Sequence, residues 1–317
     1  MTGFIDLHDA LSELKKRYVG GTHLAVAVDG STISDKAAAV AARFVDTKRK
    51  DMLTVLHVSD KTKLDRLPKN LLPQNLKSHY KDMMETARIP MEWICREKEE
   101  GQSTCQTLTK IAAKQKVNLL VLGSFGRKGE KLEMLGTVSD YSLRESPASI
   151  CIVRSTGAKF DKMAKILFCT DGSHAAALAF CTLIKCLKGP MDIVNVVIVS
   201  TGASDGVKER ALMQHYHEFM VLHKVVGETL IKNIDTSKTA VHEGILEAAS
   251  DMFADVLVLG ISGYGQKKLG SVSERISANA SCTTLIIKDS FEIASHRYGM
   301  SGSMSMARDI LPSGRQY

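Results

Sequence analysis

Between Val121 and Ser139 the chain reads VLGSFGRKGEKLEMLGTVS. Gly123, Ser124, Phe125 and Gly126 follow an apolar run; Arg127, Lys128 and Lys131 add positive charge; Gly136, Thr137, Val138 and Ser139 open a helical stretch. Glycine has no Cβ, so it can take positive φ and let a ligand approach the main chain. Successive N–H groups can then converge as an anion nest. A helix N-terminus adds free N–H groups and about half a positive charge. Together these residue types suit a phosphate. The plainer alternatives are a turn glycine after a strand and a simple helix cap at Gly136-Thr137. The spacing, Gly-x2-Gly-x9-Gly-Thr, is neither a GxxxxGK[ST] loop nor a GxGxxG turn after the first strand.

The elements that would position this loop occur twice. LAVAVDGSTISDKAAAVAARFV (24–45) matches ILFCTDGSHAAALAFCTLIKCL (166–187), and DMLTVLHVS (51–59) matches DIVNVVIVS (192–200). VNLLVLGSFG (117–126) matches ADVLVLGISG (254–263), GTVSD (136–140) matches GSVSE (270–274), and ASICIVRS (148–155) matches CTTLIIKD (282–289). Five matches in one order indicate duplication. Continuous Val/Ile/Leu runs suit strands covered on both faces, and their alternation with helices gives a parallel, doubly wound sheet. The fold class is therefore α/β, with two tandem five-stranded domains at about 20–157 and 158–290. A helix is expected within 1–19 and a disordered tail at 291–317. The longer helices are placed near 70–88 and 207–232, and the third strands at MEWICRE and TAVHEG. The second copy's third helix reads as clipped after HEG.

The glycine spacing, AVDGS after the first strand, LHVSD in the second and the repeat together resemble the universal stress protein family in its ATP-binding branch, over about residues 20–290. The resemblance implies an adenine nucleotide α-hydrolase-like fold, with the two copies related by a pseudo-twofold. It implies that Ala27, Val28 and Asp29 hold adenine or ribose, that Val58 packs on the base, and that Gly123 to Lys128 and Gly136 to Ser139 hold the phosphates. Repulsion between carboxylate and phosphate also argues for Asp29 at the sugar or base end. Ser31 belongs to the same turn and is a helix-cap candidate. ATP, with Mg²⁺ held mainly by the triphosphate, is the implied ligand. Asp171, Val199, Gly260, Gly263, Gly270 and Ser271 are the second-copy counterparts, but only six residues separate Gly263 from Gly270, so that site should be weak or empty. Family members pair their fifth strands between subunits; a tandem chain can do so internally, with a homodimer as the other option.

No catalytic set stands out. His57 is a structural candidate whose counterpart is Ile198; His174, His242 and Cys95 stand alone; Ser31 and Ser173 read as caps. A nucleotide-binding regulator with at most slow ATP hydrolysis is expected. The alternatives are a nucleotide-independent interaction module and a transferase or pyrophosphatase using the same nest. Seven scattered cysteines without a CxxC pair suit reduced thiols in a cytosolic protein. The 317 residues carry a formal charge of +7, mostly in the first half, but 5% aromatics and no basic–aromatic motif disfavour nucleic acid. No apolar run is long enough for a membrane helix.

Overall fold

The computed structural model describes residues 6–17, 21–127, 129, 134–154, 163–187, 192–202, 206–262 and 269–289. Lys128, Lys131, Gly263 and the tail 291–317 lie outside the described residues. After helix α1 (Leu7–Arg17), the first copy runs β1 (His23–Ala27), α2 (Thr32–Phe44), β2 (Met52–Ser59), α3 (Pro73–Thr86), β3 (Met91–Glu97), α4 (Thr104–Lys114), β4 (Leu119–Gly123), α5 (Thr137–Glu145) and β5 (Ser149–Val153). The second runs β6 (Lys165–Cys169), α6 (His174–Cys186), β7 (Ile193–Ser200), α7 (Val207–Leu222), β8 (Thr229–Asn233), α8 (Val241–Asp251), β9 (Val256–Ser262), α9 (Ser271–Asn279) and β10 (Thr283–Asp289).

Local chemistry explains where these helices begin. The Ser31 and Ser173 side chains accept from Ser34 N and Ala176 N, capping α2 and α6. Ser103 and Gln106 form a capping box on α4, and Pro73 opens α3, where its missing N–H costs nothing. In α1, Leu7, Ala10 and Leu14 are buried, and the helix packs on α6 of the second copy.

The two five-stranded units form one ten-stranded sheet, ordered β3-β2-β1-β4-β5-β10-β9-β6-β7-β8. Every pairing is parallel except β5 with β10, which run antiparallel with Cys151 opposite Leu285. The last strands therefore join the copies inside one chain, and burial of Ile150, Cys151, Ile152, Leu285 and Ile286 closes both apolar edges. Within the first copy the chain reverses its winding between β1 and β4, the crevice where open α/β sheets bind ligands.

Three second-copy expectations need correction. TAVHEG is not a strand: Ala240 N donates to the Glu243 side chain at 2.7 Å, and α8 starts there. The third strand is TLIKN, and α7 ends at Leu222 rather than near 232. The third helix is not clipped, since α8 and α4 both have 11 residues. As an edge strand, β8 needs little apolar content, and none of its five residues is buried.

Candidate functional site

β1 and β4 deliver the first copy's candidate residues to one rim. Beyond β1, Gly30 takes φ +79°, which glycine adopts without strain, and turns the chain into α2. The Asp29 carboxylate spans that turn: Oδ1 accepts from Ser31 N at 3.0 Å, and Oδ2 accepts from Arg127 N at 3.1 Å. Arg127 Nε lies 3.9 Å from the same oxygen. Asp29 thus lies against the glycine loop, not apart from it. As an anion, it can itself take one nest amide.

The loop is pinned to the sheet at both ends. Ser124 N donates to Val153 O and Gly136 N donates to Ser124 O, each at 2.8 Å, bringing the third glycine beside the first pair. Ser139 Oγ donates to Gly123 O at 2.6 Å. An added Cβ at Gly136 would lie 3.1 Å from Ser124 O and 3.2 Å from Phe125 Cα, so the approach is close enough to favour glycine. Gly126 is exposed, and an added Cβ there would meet Asp29 Oδ2 at 2.7 Å. Among the described residues, none accepts from the amides of Thr137, Val138 or Ser139 at the start of α5. Ala27, Val58 and Val138 are partly buried and pack on the same apolar layer, while Val28 is in the core of the other.

His57 lies beneath this rim, 7% exposed, with Nδ1 2.8 Å from Val28 O and its ring stacked on Trp93. Burial pulls its imidazole below the ordinary 6.5, opposed by the Val28 carbonyl and Asp29. A neutral ring donating from Nδ1 fits that setting. Among the described residues, no His/Cys/Asp/Glu group is arranged to hold a metal ion. A cavity of about 40 Å³ lies at the other end of the strands, walled by Leu14, Leu24, Phe44, Leu119, Leu285 and Ile287; it has room for little beyond water.

The second copy assembles differently. Asp171 is exposed and accepts from Ser173 N at 2.9 Å, and Val199 packs near Gly244. Gly270 and Ser271 begin α9. Gly260 does not end its strand: β9 continues through Ile261 and Ser262, opposite Lys288 and Asp289. An added Cβ at Gly260 would lie 2.4 Å from Ala175 O, so this glycine admits the α6 backbone against the sheet.

Sequence reasoning missed the Asp29–Arg127 link and the Ser139–Gly123 bond. Asp-Gly-Ser was a visible turn signal for the first. The second needed the register of α5 over β4.

The model of the Universal stress protein family matches residues 22–154 and again 163–288. A Staphylococcus epidermidis protein named for that family is 30% identical over 137 residues, 39% of this chain and 82% of the relative. A universal stress protein from Archaeoglobus fulgidus superposes with TM-score 0.63 at 18% identity, covering 84% of this chain and 98% of that one. A functionally unknown protein from Pseudomonas aeruginosa gives 0.62 at 15% identity, covering 90% and 98%. These two structures share the doubled fold. With both copies matched, the chain belongs to the universal stress protein family, in tandem form.

Proposed function

We propose that the first copy binds ATP and that the protein is a nucleotide-responsive regulator. The observation that carries this reading is the convergence at one rim of three glycines, the Arg127 amide and the unclaimed α5 amides Thr137 to Ser139. The residues fit the group: the nest is electropositive, and the close approach of Gly136 to Ser124 leaves main chain, not side chain, facing it. ATP supplies a triphosphate for the amides and a flat base for Ala27 and Val58. Arg127, with Lys128, adds charge, and Mg²⁺ travels with the phosphates. Asp29 yields the Arg127 amide to the phosphate and turns to the sugar.

No base or nucleophile is assigned. His57 is committed to the Val28 carbonyl, and Ser31 to its helix cap. The second copy is a weak or vacant site, because β9 uses in its ladder the residues that would begin a nest. Mass spectrometry of the small molecule released on denaturing the purified chain tests this, with calorimetric titration of ATP. About one nucleotide per chain is expected. Gly126→Asp puts a carboxylate beside Asp29 and should weaken ATP more than tenfold, about 1.4 kcal/mol. Two equally tight sites, or unchanged affinity in Gly126→Asp, would refute the reading.

A further inference from the structure

Two basic side chains one repeat apart cross between the copies. Arg154, just beyond β5, and Lys288, in β10, are 4% and 5% exposed. Arg154 Nη2 donates to Ser277 O at 2.7 Å and to Ala278 O at 2.5 Å, at the end of α9. Lys288 Nζ donates to Leu143 O and Ser146 O, both at 2.7 Å, at the end of α5. The aligned repeats pair Lys288 with Arg154 and Ser277 with Leu143, so each copy reaches the same carbonyl of the other's last helix, while the second acceptors, Ser146 and Ala278, are not matching positions. Arg144 Nη2 also reaches Glu274 Oε1 at 2.7 Å, joining the two helices directly.

The arrangement is unequal in one respect. A helical carbonyl normally accepts from the N–H four residues on. For Leu143 that residue is Pro147, which has no N–H. For Ser277 it is Ser281, which has one. Lys288 therefore supplies a donor to a carbonyl that the chain at Pro147 has no N–H to serve, whereas at the matching place after α9 Ser281 carries an N–H. Burial pulls the Lys288 ammonium down to about 7, so the hold on α5 is the pair of hydrogen bonds rather than a full charge at the helix end.

We infer that Lys288 is a positioning residue for the nucleotide site of the first copy: from the second copy it fixes the far end of α5, the helix whose first amides face the phosphates. This rests on the nucleotide reading above. α5 has only nine residues, so a shift at its C-terminus is felt at Thr137. Its N-terminal end is held by the Ser139–Gly123 and Gly136–Ser124 bonds, and its C-terminal end by Lys288. Affinity in one copy thus depends on a residue of the other.

The test is calorimetric ATP titration of the full chain carrying K288M, K288R or R154M. K288M should weaken ATP at least about fivefold, close to 1 kcal/mol. K288R should stay within about twofold of wild type, since Arg154 shows that a guanidinium reaches Ser277 O, the equivalent of Leu143 O. R154M removes a buried basic donor of the same kind but acts on α9, so it too should stay within about twofold. Adding Pro147→Ala to K288M restores an N–H for Leu143 O and should recover part of the lost affinity. If K288M does not fold, K288Q, a shorter neutral donor, takes its place, with a loss in the same direction but smaller, about twofold to fivefold. Unchanged affinity in K288M and K288Q, or equal losses in K288M and R154M, would overturn the inference while leaving the nucleotide reading intact. Failure of the wild-type chain to bind ATP would sink both.

Discussion

Replacing Gly260 by alanine should destabilise the chain far more than the same change at Gly123, its repeat counterpart. Neither glycine has positive φ, so backbone strain does not separate them. Their neighbours do. At Gly123 the new Cβ meets Ile33 Cγ2 at 2.9 Å and Phe125 O at 3.1 Å. The first is a side-chain methyl that can rotate, and the second needs only a few tenths of an ångström. At Gly260 the Cβ meets Ala175 O at 2.4 Å, Ala175 C at 2.8 Å and Ala179 Cβ at 2.8 Å. Those atoms belong to α6, which must back off by about 1 Å to reach ordinary contact. Overpacking of this kind costs about 1–3 kcal/mol, partly offset by about 0.4–1 kcal/mol from the stiffer unfolded chain. The backbone obstacle favours the upper end, so Gly260→Ala should lose about 2 kcal/mol and Gly123→Ala less than about 1 kcal/mol. At about 2–4 °C per kcal/mol for a unit of this size, Gly260→Ala should melt about 4–8 °C lower. Scanning calorimetry read beside urea midpoints would measure both. If Gly260→Ala lies within about 0.5 kcal/mol of wild type, or if the two variants lose equally, Gly260 is not a packing glycine.

Two further outcomes follow from the first copy. Ser139→Ala removes a buried hydroxyl from Gly123 O and should cost about 1 kcal/mol of stability, with ATP affinity falling as the α5 start loosens; an unchanged urea midpoint would show the bond to be dispensable. Burial holds His57 below its ordinary 6.5, so between the two values the unfolded chain binds a proton that the folded chain refuses. The contribution is therefore fully present above pH 6.5 and is lost as pH falls through that window. His57→Gln should flatten this part of the acid slope as pH falls below about 6.5; parallel urea midpoints for the two proteins would assign the slope to other groups.

The strands that formed the core were readable because burial on both faces demands uninterrupted apolar runs, as in LAVA, VLVLG and TLIIK. Ser31 and Ser173 were readable as caps because a hydroxyl just before an alanine-rich stretch has few other local uses. β8 was not, because an edge strand flanked by loop can be Thr-Leu-Ile-Lys-Asn, and the β-branched start of TAVHEG looked the better candidate. The decisive signal there was Glu243, three residues after the N-cap Ala240, whose amide it caps. Asp29 was placed at the sugar by a sound rule about like charges, yet in this structure its carboxylate lies on the Arg127 amide. The same rule explains both positions: an amide that attracts phosphate also attracts a nearby carboxylate until a stronger anion displaces it.

Lys288 was hidden for a different reason. In sequence it is the charged end of an apolar strand, the commonest place for a solvated lysine. Only the antiparallel β5–β10 pairing turns it towards α5, where Leu143 O faces a proline at 147 rather than an N–H. In a dimer of identical chains, any change at this position would appear at both caps at once. Duplication removes that constraint. Proline at 147 with serine at 281, and lysine at 288 with arginine at 154, are differences that only a fused pair can hold, and they fall where one copy keeps its glycine nest and the other runs its strand straight through.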